Sequence, residues 1–297
     1  MDFRLHVFYT VAKRQSFTKA AAELFITQPA VTKHIRELED SYKMKFFDRK
    51  SNKIILTPAG ELLLAHSERI FKIYREIDFE LSALINQRKG ELRLGCSTTL
   101  SHYVLPPLLA GFHQKFRELK LRIMNGNTNQ IEQLLLSNEI DIGITEGHSK
   151  NPEIKYTEWL KDELVLVCSS KNPLAKKELL SSEELKELSF VLRERGSGTL
   201  QVIEHALKPL NIKLSQLRVE MQLGSTEGIK TYLQHSNGVA FLSIHAVTKE
   251  LQSNQLCVVD VENLTMSRWF YMIGLQGRED GLSELFRRYS DQYNLKL

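Results

Sequence analysis

The chain has 297 residues, 42% apolar and 26% charged, enough for about two folded domains and too apolar for a disordered polypeptide. No run reaches about 18 apolar residues, so no spanning helix is expected, and charges break up "MDFRLHVFYTVAKRQ", which argues against a secretory leader and places the protein in the cytoplasm. The net charge of +4 is uneven: residues 1–57 hold 11 Lys/Arg against 6 Asp/Glu and the remainder 29 against 30, so a nucleic-acid contact is expected in the N-terminal fifth.

Leu5, Phe8, Val11 and Ala12 recur at helical spacing and predict a first helix over residues 3–14. Ser16 and Thr18 are candidate caps for a second helix. On it Ala20, Ala21 and Leu24 face a neighbour, and side chains as small as alanine let two helix backbones approach closely. A third helix is expected from near Pro29, whose fixed φ suits a first turn. Val31, Ile35 and Leu38 form its buried stripe, which leaves Gln28, Thr32, Lys33 and Arg36 on the opposite face. A helix that reads base edges in a major groove needs such donors: Gln bridges adenine, and Arg bridges guanine or grips phosphate. An ordinary solvated helix face carries the same residue types. In "KMKFFDRKSNKIILTPAG", Phe46 and Phe47 are core candidates, and Ile54 and Leu56 alternate inward. "RKSNK" reads as a polar turn between two short strands, with Arg49, Lys50 and Lys53 placed as on a wing that follows phosphates.

The stretches "SFTKAAAEL", "TQPAVTKHIRELE", "FFDR" and "LTPAG", in this order and spacing, resemble the winged helix-turn-helix of the LysR-type transcriptional regulators. The resemblance implies an N-terminal, all-α-type winged helix-turn-helix over residues 1–58. It puts Thr18, Gln28, Pro29, Thr32, Lys33 and Arg36 at double-stranded DNA, with Arg49 and Lys53 on the wing.

Residues 59–89 form the next unit, a long helix without glycine or proline from Glu61 to Lys89. Leu63, Ile70, Ile77 and Leu84 repeat every seven residues with Ile73 between them, while His66 and Glu80 make the heptad imperfect. Such a stripe packs on its own domain or on a partner. The family resemblance favours a dimer through antiparallel helices and implies a tetramer, with RNA polymerase as a further partner.

From Gly90 strands alternate with helices: "ELRLGCS", "SHYVLPPLLAGFHQKF", "LKLRIMNG", "NQIEQLLLSN", "IDIGITE". This order predicts a parallel, doubly wound sheet. A second set follows from "DELVLVCSS" to "GVAFLSIHAV", and "RWFYMIGLQ" with the last helix returns to the first lobe. Two α/β lobes joined by crossover strands resemble the effector-binding domain of LysR-type regulators, a fold shared with periplasmic binding proteins. The resemblance implies an effector domain over 90–297, with lobe I at about 90–161 and 267–297 and lobe II at about 162–266.

Ligands of open α/β sheets lie beyond the carboxyl ends of the strands, often at helix N-termini. Ser97, Thr98 and Thr99 in "CSTTLS", Ser197 and Thr199 in "RERGSGT", and Ser225 and Thr226 in "LGSTEG" fit that place, as does Thr145 at the end of "IDIGIT". Hydroxyls and helix N–H groups suit a small anion or carboxylate, although each stretch also reads as simple N-capping. An S-T-T loop with a G-S-G-T loop resembles the branch of the family that regulates sulfur assimilation and carbon fixation. That resemblance implies a sulfur oxyanion or its organic precursor, or a phosphorylated or carboxylated metabolite, as effector. Glu146 beside the cleft would repel an anion unless it turns away, or would bind an ammonium group. No cofactor is expected beyond this effector.

Cys96, Cys168 and Cys257 lack metal-ligand spacing and read as buried strand residues, with a redox-responsive regulator acting through Cys96 as the alternative. An enzyme is not expected: the Lys-Ser/Thr ending of a phosphate-binding loop, the Gly-x-Ser-x-Gly elbow and an HExxH pair are all missing. A transport-type binding protein would share the lobes but not the basic N-terminal module.

Overall fold

The computed structural model describes residues 2–50, 53–84, 89–147, 149–177, 179–277 and 281–293. They form two compact units, Met1–Leu81 and Ser82–Leu297.

In the first unit, helices α1 (Phe3–Arg14), α2 (Phe17–Glu23) and α3 (Gln28–Tyr42) precede a hairpin of β1 (Phe47–Lys50) and β2 (Lys53–Leu56), and α4 (Pro58–Leu84) follows. Each of the three short helices begins on a side-chain cap: Asp2 accepts from Arg4 N, Ser16 from Lys19 N, and Thr27 from Ala30 N. Ser16 is therefore the cap of α2, and Thr18 lies inside the helix on its exposed side. Val7, Phe8, Val11, Ala20, Ala21, Val31, Ile35, Leu38 and Phe46 make one core. Ala20 and Ala21 sit where the helices converge, as their size requires. The "LTPAG" stretch turns the hairpin into α4. Thr57 donates through Oγ1 to Lys45 O (2.6 Å) and accepts from Gly60 N (3.0 Å). A Cβ on Gly60 would lie 2.1 Å from Phe46 O, so no larger residue fits this corner.

Along α4, Phe71 and Phe79 are buried, whereas Ile70, Ile73, Tyr74, Ile77, Leu81 and Leu84 stay exposed. The heptad positions Ile70, Ile77 and Leu84 thus form an open apolar stripe, and Leu63 instead packs against the core of the first unit.

The second unit runs β3 (Gly90–Ser97), a π-helical turn Leu100–Val104, α5 (Leu105–Lys115), β4 (Leu119–Gly126), α6 (Thr128–Leu136), β5 (Ile142–Thr145) and β6 (Ile154–Ser169). It continues with β7 (Leu179–Leu180), β8 (Ser189–Arg193), α7 (Gly198–Leu207), β9 (Arg218–Leu223), α8 (Thr226–Gln234), β10 (Val239–Ser243), α9 (Ile244–Gln252), β11 (Leu256–Val258), β12 (Asp260–Val261), β13 (Met266–Leu275) and α10 (Gly281–Gln292). Strand order is β4-β3-β5-β13-β6-β10-β8-β9, with β11 also on β6 and a separate β7–β12 pair.

The sheet has the expected parallel groups, and the strands that cross between the lobes run antiparallel to them. β3 pairs in parallel with β4 and β5, and β8 with β9 and β10, but these groups are joined through antiparallel β13 and β6. β6 is one 16-residue strand: "DELVLVCS" continues "IKYTEWLK" without a break, so the lobe boundary expected at 161/162 falls inside it. Its second half alternates with period two. Leu164, Leu166 and Cys168 enter a core with Ile203 and Leu207 of α7, and Val165 and Val167 meet Ile229 and Leu233 of α8 on the other face. That double burial makes lobe II doubly wound.

Candidate DNA-reading face and effector cleft

Burying Val31, Ile35 and Leu38 leaves one side of α3 in solvent. Gln28, Pro29, Thr32, Lys33 and Arg36 line a shallow groove there with Glu37 and Asp40. Gln28 Nε2 reaches Thr32 Oγ1 (3.4 Å), and Lys33 Nζ lies 3.8 Å from Glu37. These contacts are weak enough for a nucleic acid to replace. Arg49 and Lys53 occupy hairpin positions opposite Ile54 and Lys50; the turn residues Ser51 and Asn52 lie outside the described residues. Phe25, in the turn before α3, is 95% exposed at a left-handed φ of 54°.

In the second unit the hydroxyl-bearing loops converge on Glu146, just past β5. This carboxylate is 2% exposed and faces inward. Its Oε1 accepts from Ser97 Oγ (2.8 Å), and its Oε2 accepts from Arg268 Nη1 (3.0 Å) and from Thr199 Oγ1. Burial pushes the carboxyl up. Arg268 and Arg193, with hydrogen bonds from Thr199 and Thr99, more than offset that and hold the pKa at about 2. Arg268 Nε also donates to Asp162 (2.6 Å), which accepts from Ser243 Oγ (2.7 Å). Arg193, at the end of β8, donates from Nη2 to Thr98 Oγ1 (3.2 Å), from Nη1 to Thr226 Oγ1 (3.2 Å) and from Nε to Glu194 (2.9 Å). Thr98 and Glu146 come from lobe I and Arg193 and Thr199 from lobe II, so the Arg193–Thr98 and Thr199–Glu146 bonds cross the cleft.

The glycine loop before α7 explains its own composition. Gly196 takes a left-handed φ of 87°, and a Cβ on Gly198 would lie 2.7 Å from Thr128 Oγ1 and 2.9 Å from Glu146 Cβ. Ser197 occupies the N-cap position but makes no cap bond. Among the described residues, three buried polar atoms in this region lack a partner: Ser197 Oγ, Thr128 Oγ1 and Arg268 Nη2. A cavity of about 480 Å³ opens beside Arg268, lined by Glu146, Lys150, Gln201, His205 and Trp269 among others.

Ser97, Thr98, Thr99 and Thr199 therefore join one network, and Ser197 lies in the loop packed against it. Thr145 is buried but donates to Gly147 O (2.8 Å), shaping the turn. Ser225 is exposed and caps α8 through Gly228 N (3.3 Å); its neighbour Thr226 makes the inward contact instead. Sequence reasoning missed Arg193, Arg268, Asp162 and Thr128. A signal existed for two of them: an arginine inside or at the end of an apolar strand, in "SFVLR" and "SRWFY", must find a buried partner. Cys96 is fully buried, and burial pushes its thiol up to about 12, away from the thiolate form that an oxidant attacks. Among the described residues no cluster suits a metal ion, and no helix is long and apolar enough to cross a membrane.

Residues 3–61 match the bacterial regulatory helix-turn-helix of the lysR family, and residues 86–293 match the LysR substrate binding domain. The chain belongs to the LysR family of transcriptional regulators. It is 30% identical over 264 residues to the HTH-type transcriptional regulator CysL of Bacillus subtilis, covering 89% of this chain and 87% of that one. Over 275 residues it is 31% identical to a RuBisCO operon transcriptional regulator of Allochromatium vinosum, covering 93% and 90%. Its second unit resembles the CcmR regulatory domain of Synechocystis PCC6803, solved with 2-PG, at TM-score 0.62 and 27% identity, over 68% of this chain and 95% of that one. The CysL and RuBisCO-operon matches agree with the sulfur-assimilation and carbon-fixation branch that the two loops resemble.

Proposed function

We propose that this LysR regulator binds operator DNA as a dimer through paired α3 faces, and that a small anionic metabolite in the lobe cleft sets its output. Gln28, Thr32, Lys33 and Arg36 read bases, while Thr18, Pro29 and the wing residues Arg49 and Lys53 fix the register on phosphate and sugar. The exposed stripe of α4 supplies the dimer contact, and pairs of dimers make a tetramer. The protein works in the cytoplasm, without catalysis and without a cofactor. RNA polymerase is its partner at the promoter.

One observation supports the effector reading most. Three buried polar atoms without partners, Ser197 Oγ, Thr128 Oγ1 and Arg268 Nη2, lie in the region where Arg193 and Arg268 supply positive charge. Unmet buried donors cost about 1–3 kcal/mol each, which an oxyanion accepting from them would recover. Arg268 and Arg193 act on Glu146 but also pair with Asp162 and Glu194, so an anion would gain from the unmet donors rather than from a net positive charge. The 2-PG complex of the CcmR domain fits this chemistry.

A thermal-shift screen tests it with 2-PG, sulfate, thiosulfate, O-acetylserine and phosphorylated sugars. A ligand that binds only the folded state raises Tm. One member should do so, and Arg193→Gln should weaken it by about 10- to 100-fold, the worth of a charge-assisted hydrogen bond. If no member of the panel moves Tm, or Arg193→Gln binds the hit unchanged, the cleft is not the anion site.

A further inference from the structure

Cys168 and Cys257 are 89 residues apart in sequence, yet they are direct antiparallel partners on β6 and β11. Their sulfurs lie 3.4 Å apart, both as free thiols. Opposed residues on antiparallel strands have Cα atoms about 4.5–5.5 Å apart, inside the span of about 4.4–6.8 Å that a disulfide bridges. The sulfurs can thus approach to about 2.05 Å by side-chain rotation on a fixed backbone.

Among the described residues, neither thiol has a close partner other than the opposing sulfur. Cys168 is fully buried among Leu164, Leu166 and Phe190, and Cys257 Sγ has only long contacts to Cys168 O (3.7 Å) and Ser169 O (3.9 Å). Cys257 is partly exposed and gives an oxidant access to the pair. Burial pushes the Cys168 thiol up to about 12, so attack on an oxidant starts at Cys257.

We infer that Cys168 and Cys257 form a redox-modifiable dithiol in lobe II, which a hydroperoxide closes to an intramolecular disulfide. The Cys257 thiolate attacks the terminal peroxide oxygen. The O–O bond breaks, and Cys257 becomes a sulfenic acid as an alcohol, or water from hydrogen peroxide, leaves. Cys168 sulfur then attacks the sulfenic sulfur; the S–S bond forms, the S–O bond breaks, and the Cys168 proton departs with the hydroxide as water. Two thiols lose two electrons and the peroxide gains them. This site is separate from Cys96, whose sulfur rests on Asn125 Oδ1 (3.3 Å).

The test uses the full-length protein with hydrogen peroxide in thiol-free buffer. Thiol titration in guanidinium should fall from three per chain to one. Non-reducing peptide mapping should join the Cys168 peptide to the Cys257 peptide within one chain, and dithiothreitol should restore all three thiols. Cys96→Ser should leave the cross-link intact. In Cys168→Ser, dimedone should label Cys257. Because a variant can fail to fold, mapping of the unaltered protein decides the matter alone. Three surviving thiols, a Cys257 sulfinic acid beside a free Cys168, or a bond between two chains would each overturn the inference.

Discussion

Glu146 shows how one residue can hold a cleft. Its carboxylate is fully buried yet ionised, because two arginines and the hydroxyls of Ser97, Thr99 and Thr199 favour the charged form more than burial opposes it. Its pKa falls from 4.5 to about 2 on folding. A depressed pKa means that the stabilisation is present above about 4.5 and is lost as pH falls toward 2. Removing one member of a buried ion pair costs about 3–5 kcal/mol. Since Asp162 still faces Arg268, Glu146→Gln should destabilise the protein by about 3 kcal/mol at neutral pH. The gap to the unaltered protein should narrow on acidification to pH 3. Urea melts at both pH values measure this, and equal stability at neutral pH would show that the network does not hold the fold. Ser97 and Thr199 were legible in the sequence because hydroxyls after strand ends suit helix starts. Arg268 was legible only as a strand arginine in need of a buried partner; its carboxylates, Asp162 and Glu146, lie more than 100 residues away in sequence and could not be named. Ser225 shows the other use of the same pattern: its hydroxyl caps α8 through Gly228 N.

At the scale of elements, the three N-terminal helices were readable because their caps, alanine contacts and apolar stripe agree with one another. The long β6 was not, because its first half, "IKYTEWLK", mixes polar residues that pair with β13 and need no continuous apolar run. The α4 stripe was legible as a heptad, and Tyr74 and Leu81 widen it beyond the positions that the heptad named. Ile73 and Ile77 are 54% and 44% exposed in the single chain, so neither contributes a full core contact there. Closing that stripe against a second copy would add about 1.5–3 kcal/mol per fully buried aliphatic side chain. The double variant Ile73→Glu, Ile77→Glu should therefore raise the dimer dissociation constant by at least about 100-fold, with helical content unchanged. Analytical ultracentrifugation measures it; a dimer of undiminished affinity would move the interface off this stripe.

For the whole molecule, regulation requires that cleft and operator bias a common equilibrium. Cross-cleft bonds such as Arg193 to Thr98 and Glu146 to Thr199 give the second unit a closed arrangement, whose weight an effector can change. A ligand shifts such an equilibrium only by its differential affinity for the two arrangements. Coupling is then reciprocal: the factor by which effector changes operator affinity equals the factor by which operator changes effector affinity, typically about 5- to 150-fold. Calorimetry with the screened ligand, with and without operator DNA, gives one factor, and operator titrations with and without ligand give the other. Arg36→Ala should weaken operator binding by about 1–3 kcal/mol while leaving effector affinity of the DNA-free protein unchanged. Arg193→Gln should do the reverse. No coupling in either titration would mean that the ligand acts after DNA binding, on a step that operator affinity does not report.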